Sequence, residues 1–284
     1  MSFLQPLSRL PELALGQLLG VLTDIDDTLT TDGAITPDAL KALTDLKAAG
    51  LRIVAITGRP VGWSVPFAQT WPVDAIVAEN GAVALVSGYQ NGLESSTDGR
   101  NLLSKIYQQD ASTRAGNFSR MQQVAARVLR EVPVARLAHD SPGRETDIAI
   151  DHSEFTHLPP DAIAQVVQIM RSEGMNATVS SIHVNGWFGG HNKLTGARWI
   201  VRELLARDLD AEIERWLYVG DSTNDQLMFQ HVPHSIGVAN VRRFEAELSH
   251  KPRYVTPSER GAGFAEVAAR VLAHRATTSS KGRA

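Results

Sequence analysis

The stretch VLTDIDDTLT (residues 21–30) sets three aspartates within four residues, directly behind an apolar run. Carboxylates that close repel one another and are costly to bury. Yet Val21, Leu22, Ile25 and Leu29 are core residue types, so the cluster does not read as a solvated loop. Residues 20–24 read as a short buried strand that carries the acids at its carboxyl end.

The pattern extends on both sides. Thr36-Pro37 reads as an N-cap followed by proline at the first helical position. Leu40, Leu43 and Leu46 mark one helical face, and Gly50 suits the stop. RIVAIT (52–57) and AIVAEN (75–80) read as two more buried strands. Further on, a helix over 194–206, the strand WLYVG (216–220), a short helix over 224–231, strands over 235–239 and 253–256, and a helix over 264–274 repeat the alternation. Alternating strands and helices predict right-handed βαβ units and a parallel sheet.

The middle of the chain differs. Residues 87–116 are rich in Gly, Ser, Asn and Gln. After them come a helix over 118–131, strands near 134–138 and over 146–151, a helix over 160–172 and a strand over 177–184. Asp147, Ala149 and Asp151 alternate with Ile148 and Ile150, the mark of a half-exposed antiparallel strand. The fold class expected is α/β: a Rossmann-like parallel-sheet core (1–85 and 188–284) with an inserted α+β domain (86–187). Residues 276–284 read as a disordered tail.

The totals exclude several functions. A chain of 284 residues with 43% hydrophobic residues can build one or two cored domains. A net charge of −3 leaves no electrostatic footprint for nucleic acid or an anionic membrane. With no cysteine there is no disulfide and no thiolate chemistry. The run LALGQLLGVL (13–22) resembles a signal-peptide core, but it has one basic flank, two interrupting prolines and no small-residue cleavage site. No apolar run reaches the roughly 18–20 residues of a membrane span. The expectation is a cytoplasmic protein whose partner is a small molecule. Oligomeric state is open.

In an open parallel sheet, ligands bind outside the carboxyl ends of the strands. Asp24 and Asp26 fall there on the first strand, Thr57 on the second and Asp221 after WLYVG, while Lys193 opens the helix before it. DIDDT, ITGR, the lone lysine and GDSTND resemble motifs one to four of the haloacid dehalogenase superfamily of phosphohydrolases, in the family's order. ENGA (79–82) is similar to the type with a large C2 cap (class IIB) between motifs two and three. Relatives of that type include sugar-phosphate, sucrose-phosphate, trehalose-phosphate and mannosyl-3-phosphoglycerate phosphatases.

The resemblance implies a magnesium-dependent phosphatase that works through an aspartyl-phosphate. It makes Asp24 the nucleophile and Asp26 the general acid and base, with a backbone carbonyl of Asp26 on the metal. Asp24 and Asp221 then ligate magnesium, with Asp225 in support, and Thr57 and Lys193 hold phosphoryl oxygens. Physical chemistry agrees, since a hard divalent cation makes clustered carboxylates tolerable. Gly58, Arg59 and Asn224 lie in the same motifs and are candidate substrate contacts. In the inserted domain, Arg144, a planar fork in the SPGRE turn, is the first candidate to grip substrate, with Glu145 its alternative partner. His183 and Asn185 share a strand face and join it.

Asp27 stands where many capped relatives have glycine; it either reaches the metal through a water or faces solvent, and the second is the expectation. The scattered histidines offer no zinc motif, and Trp63, Trp71, Trp199 and Trp216 read as packing residues. Residues 186–190 (GWFGG) match a phosphate loop only loosely and read as a return between domains. Two rival functions remain at this point. Phosphomannomutases share this core and cap type, so a phosphomutase is one. The other is a phosphorylatable signalling module, disfavoured by the inserted domain and by an acid two residues after the nucleophile.

Overall fold

The computed structural model describes residues 4–87 and 103–281. In chain order the first elements are β1 (Gln5–Pro6), α1 (Glu12–Gln17), β2 (Gly20–Thr23), β3 (Thr30–Thr31), β4 (Ala34–Ile35), α2 (Pro37–Ala48), β5 (Arg52–Ile56) and α3 (Val61–Thr70). Next come β6 (Ala75–Ala78), β7 (Val83–Ser87), β8 (Leu103–Tyr107), α4 (Ala111–Glu131), β9 (Arg136–Leu137), β10 (Ile148–Asp151) and α5 (Pro160–Ser172). The chain closes with β11 (Asn176–Val179), β12 (His183–Trp187), α6 (Lys193–Leu205), β13 (Trp216–Gly220), α7 (Gln226–His231), β14 (His234–Gly237), β15 (Tyr254–Val255) and α8 (Arg260–Lys281).

Two compact units divide these elements. The first comprises Met1–Ile56, Thr70–Ile76 and Ala197–Ala284. Its strands run β1-β15-β14-β13-β2-β5, every pair parallel, as the alternation of strands and helices predicts. β2 and β13 are buried along their whole length, which explains their uninterrupted apolar runs. Helices α1 and α2 pack on α8. Gly50 ends α2 in the left-handed region (φ +80°), the stop read from the sequence. Asp32 and Gly33 both take positive φ and close the small β3–β4 hairpin.

The second unit comprises Thr57–Gln69 and Val77–Gly196, so it encloses all of 86–187 and more on either side. A four-stranded antiparallel sheet, β11-β12-β10-β9, carries α4 and α5 on one face. The helices present Met121, Val124 and Val128, and Val166, Ile169 and Met170, at spacings of three and four. Ile148, Ile150 and Val184 meet them from the sheet. The alternate residues Asp147, Ala149, Asp151, His183 and Asn185 belong to the other face.

Several boundaries differ from the sequence reading. The single strand expected over 177–184 is a hairpin, because Ser180 Oγ accepts from the Ile182 and His183 amides and turns the chain. Helix α4 begins at Ala111, where Asp110 caps it by accepting from the Thr113 amide. Helix α8 continues to Lys281, so residues 276–281 are helical; 282–284 lie outside the described residues, as does 88–102 of the polar stretch. Among the described residues no helix is long and apolar enough to cross a membrane.

Candidate active site

The acid cluster is positioned by the sheet. Thr23 pairs with Val219 across β2 and β13, and the Asp24 amide donates to Val219 O at 2.8 Å. Asp24 and Asp221 therefore leave neighbouring strands at their carboxyl ends. Past β2 the chain turns on itself, with the Leu29 and Thr30 amides donating to Ile25 O at 2.9 and 3.1 Å. Ile25 and Leu29 are fully buried and anchor this turn, each burial being worth roughly 1.5–3 kcal/mol. The apolar residues of the opening stretch are thus its anchors, and the acids are what the anchors present.

GDSTND is a compact loop ordered by its own hydrogen bonds. Asp225 Oδ2 accepts from the Asp221 and Ser222 amides at 2.8 and 3.1 Å, and Oδ1 accepts from the Tyr218 hydroxyl. Gly220 is required, because a Cβ there would lie 2.5 Å from Asp225 Oδ2. Ser222 Oγ donates to Asn224 Oδ1 at 3.1 Å. Burial, and then the carboxylates of Asp225 and Asp24, hold the Tyr218 phenol well above its ordinary range, so it stays a donor. Asp24, Asp221 and Asp225 are all buried, with one oxygen of each lying within 4.8 Å of the others. Three hard anionic donors at that spacing fit a magnesium-sized cation and suit no soft metal. Asp26 is half-buried outside this trio.

Two neighbours of the cluster depart from the sequence reading, one in its setting and one in not having been singled out at all. Asp27, expected to face solvent, is only 22% exposed and ion-paired to Arg260 at 3.1 Å, with its backbone at φ +54°. Asn240, three residues past β14, donates to Asp221 Oδ2. An asparagine just beyond a strand is also an ordinary turn residue, and nothing nearer marked it.

The second unit holds the other candidates. The Thr57 amide donates to Val77 O at 2.8 Å, and Thr57 Oγ1 accepts from the Arg59 amide at 2.9 Å. Lys193 is buried at the first position of α6. Gly58 has Asn80 and Asn185 close against it, about where a Cβ would project. Glu79, Asn80 and Gly81 all take positive φ, a strained turn that aims the Glu79 carboxylate at the amides of Val61, Glu145 and Thr146. Burial pushes the Glu79 carboxyl up despite those bonds.

Around them runs a polar network. Arg59 is ion-paired to Asp140 at 3.1 Å and to Glu154 at 2.8 Å, and lies over the Trp63 ring. His183 Nε2 meets Glu154 Oε2 at 2.9 Å. Burial disfavours the Glu154 anion, but His183 and Arg59 outweigh it and bring the carboxyl down to about 2. Asp151 accepts four successive amides, from Ser153 to Thr156, and so fixes the turn that presents Glu154. Asn185 donates to Asp147 at 3.1 Å. Asp147 is pushed up to about 7, by burial first, with the Arg144 charge opposing it.

Arg144 departs from its expected setting. Its guanidinium is buried and donates to Asp147 at 2.8 Å, to Gly58 O at 2.9 Å and to Asp140 at 3.0 Å. Glu145 bonds Lys105 and Tyr107 instead. The fork expected to grip substrate is committed to protein acceptors, because burial demands partners for each donor. The expected result of Arg144→Ala is therefore a loss of stability of about 3–5 kcal/mol, the cost of stranding a buried carboxylate. Urea unfolding measures it, and a loss below about 1 kcal/mol would show that the pair does not hold this turn.

Residues 21–109 match the family described as haloacid dehalogenase-like hydrolases. The chain is 23% identical over 254 residues to a phosphoglycolate phosphatase of Methanothermobacter thermautotrophicus, covering 89% of this chain and 98% of that protein. Among solved structures it resembles a Thermoplasma acidophilum protein, with a TM-score of 0.65 and 17% identity over 90% of this chain and 99% of that one. It also resembles the sucrose-phosphatase of Synechocystis solved with sucrose and phosphate, with a TM-score of 0.61 and 16% identity over 90% of this chain and 98% of that one. At these identities the structural likeness speaks for the fold.

Proposed function

We propose that the chain is a haloacid dehalogenase-like hydrolase and works as a magnesium-dependent phosphatase of a small phosphorylated metabolite, most simply a sugar phosphate or phosphoglycoside. The observation that carries this reading is the buried trio Asp24, Asp221 and Asp225 at the carboxyl ends of adjacent parallel strands. Asp24 and Asp221 would hold the cation directly, together with the Asp26 carbonyl, and Asp225 would support it. Bound there, magnesium would offset phosphate charge beside the carboxylates.

In this proposal an Asp24 oxygen attacks phosphorus while the bond to the ester oxygen breaks. Asp26 gives its proton to the leaving alkoxide. Water then attacks the aspartyl-phosphate, Asp26 takes a proton from it, and the bond from phosphorus to Asp24 breaks to free inorganic phosphate. Thr57 and Lys193 bind the phosphoryl oxygens, and Lys193 offsets the charge that builds there. Residues 86–187 act as the cap that selects the leaving group. On its polar face His183, Asn185, Glu154 and Asp147 offer donors and acceptors suited to hydroxyls, while Arg59 and Arg144 order those acceptors.

A phosphate-release screen with magnesium over sugar phosphates, phosphoglycosides, phosphoglycolate and nucleotides tests the proposal. Release of phosphate from at least one small ester is expected. Transfer of the phosphoryl group back to sugar with no release would mean a mutase. Asp26→Asn should bind substrate nearly as before and lose about 10²–10⁴-fold in kcat, the usual share of a general acid–base. The loss should be smaller on an aryl phosphate, whose leaving group needs less protonation. Equal losses on alkyl and aryl esters would deny Asp26 the acid's role.

A further inference from the structure

We propose that Asn240 is a positioning residue for the divalent cation, holding the Asp221 carboxylate and the DIDDT turn in one fixed relation. The inference rests on the phosphatase reading above and adds a residue outside all the motifs that suggested it. Asn240 is 2% exposed. Its Nδ2 donates to Asp221 Oδ2 at 3.0 Å and to the Asp27 carbonyl at 3.0 Å, and its Oδ1 accepts from the Arg260 amide at 3.0 Å. Two acceptors on one side and a donor on the other fix the amide orientation, since a flip would set oxygen against oxygen twice.

The strand order explains why Asn240 arrives there. β14, β13 and β2 are consecutive in the sheet, so the segment after β14 runs beside the ends of the two strands that carry Asp221 and Asp24. Backbone strain on the far side marks the contact as built. Arg260 takes φ +55°, and that conformation delivers its amide to Asn240. Such a conformation costs on the order of 1–3 kcal/mol and persists only where its surroundings hold it. The Arg260 side chain then pairs with Asp27 at 3.1 Å and with Asp32 at 2.8 Å. A chain of contacts thus runs from the start of α8 through Asn240 to Asp221, and returns through Asp27.

The chemistry of the amide suits this task. A carboxylate can turn about its last torsion, and a ligand that turns must be ordered each time a cation binds. A neutral donor on one oxygen orders it without cancelling the charge that attracts the cation, as a lysine at this position would. The second bond, to the Asp27 carbonyl, ties the same amide to the turn that presents Asp24 and Asp26. Groups that orient metal ligands in this way are typically worth 10–100-fold in metal affinity.

The test is isothermal titration of magnesium into the full-length chain, wild type against Asn240→Ala and Asn240→Ser, with circular dichroism as the check on folding. Asn240→Ala is expected to raise the magnesium Kd by about 10–100-fold. Asn240→Ser, which keeps one donor, should fall between. At saturating magnesium the Ala variant should regain most of its kcat with an unchanged KM for the phosphate ester. A folded Asn240→Ala with wild-type magnesium affinity overturns the proposal. If Ala fails to fold, Ser against wild type decides it, and equal affinities there overturn it. A wild-type protein that takes up no magnesium would instead bring down the phosphatase reading itself, whatever Asn240 does.

Discussion

An Asp24→Asn variant is expected to release no measurable phosphate, a loss on the order of 10⁴–10⁶-fold if it follows other nucleophile knockouts. The amide is isosteric with the carboxylate and changes neither the amide bond to Val219 O nor the strand pairing at Thr23. The fold should survive, and circular dichroism checks that. What the variant lacks is an oxygen nucleophile able to form an acyl phosphate, together with one of the three buried charges of the cluster. Rapid quench with radiolabelled substrate reads the first effect, and magnesium titration of the variant reads the second. Wild type should trap label on protein in the first turnover and Asp24→Asn should trap none. A variant keeping about a tenth of wild-type kcat would remove Asp24 from the chemistry.

The part of this site that could be read from sequence is the part built by strand ends. Apolar runs such as 216–220 and 52–56 name their own strands, and in a parallel sheet the next polar residue is at the ligand-binding end. The places of Asp24, Thr57 and Asp221 just past their strands were legible for that reason. Contacts made by a backbone out of its ordinary region were not legible. Asp27 and Arg260 are left-handed residues that are not glycine, and no propensity predicts the ion pair they share. Glu79 is similar. AIVAEN reads as a strand through Asn80, whereas the strand ends at Ala78 and the next residue, Glu79, is fully buried and receives the amides of Glu145 and Thr146.

The burial of Arg144 was not legible for a different reason. An arginine among Ser, Pro and Gly reads as exposed, and only the tertiary fold brings Asp140 and Asp147 to it. Helix α3 escaped because Pro66 sits inside it and its apolar residues mark no clear face. The division of labour is physical. Periodicity reports burial along one element, whereas ion pairs and strained turns are settled by elements distant in sequence.

Chelation should silence the enzyme and lower its melting temperature together, and the pairing of the two effects is what locates the cation. Asp24, Asp221 and Asp225 place carboxylate oxygens within 4.8 Å of one another in a buried site. Two unit charges at such a separation repel by about 3–4 kcal/mol at an effective dielectric of 20. The donors already on Asp225 and Asp221, from Tyr218, Asn240 and the loop amides, offset part of that. A bound dication offsets the rest, and at a hundredfold excess over its Kd it adds about 2.7 kcal/mol of stability. Magnesium should restore both activity and melting temperature. Calcium should restore the melting temperature but little activity, since it accepts more and looser oxygen ligands than an in-line displacement tolerates. Activity that persists through exhaustive chelation would overturn the metal requirement. Loss of activity with an unchanged melting temperature would place the cation somewhere other than these three buried carboxylates.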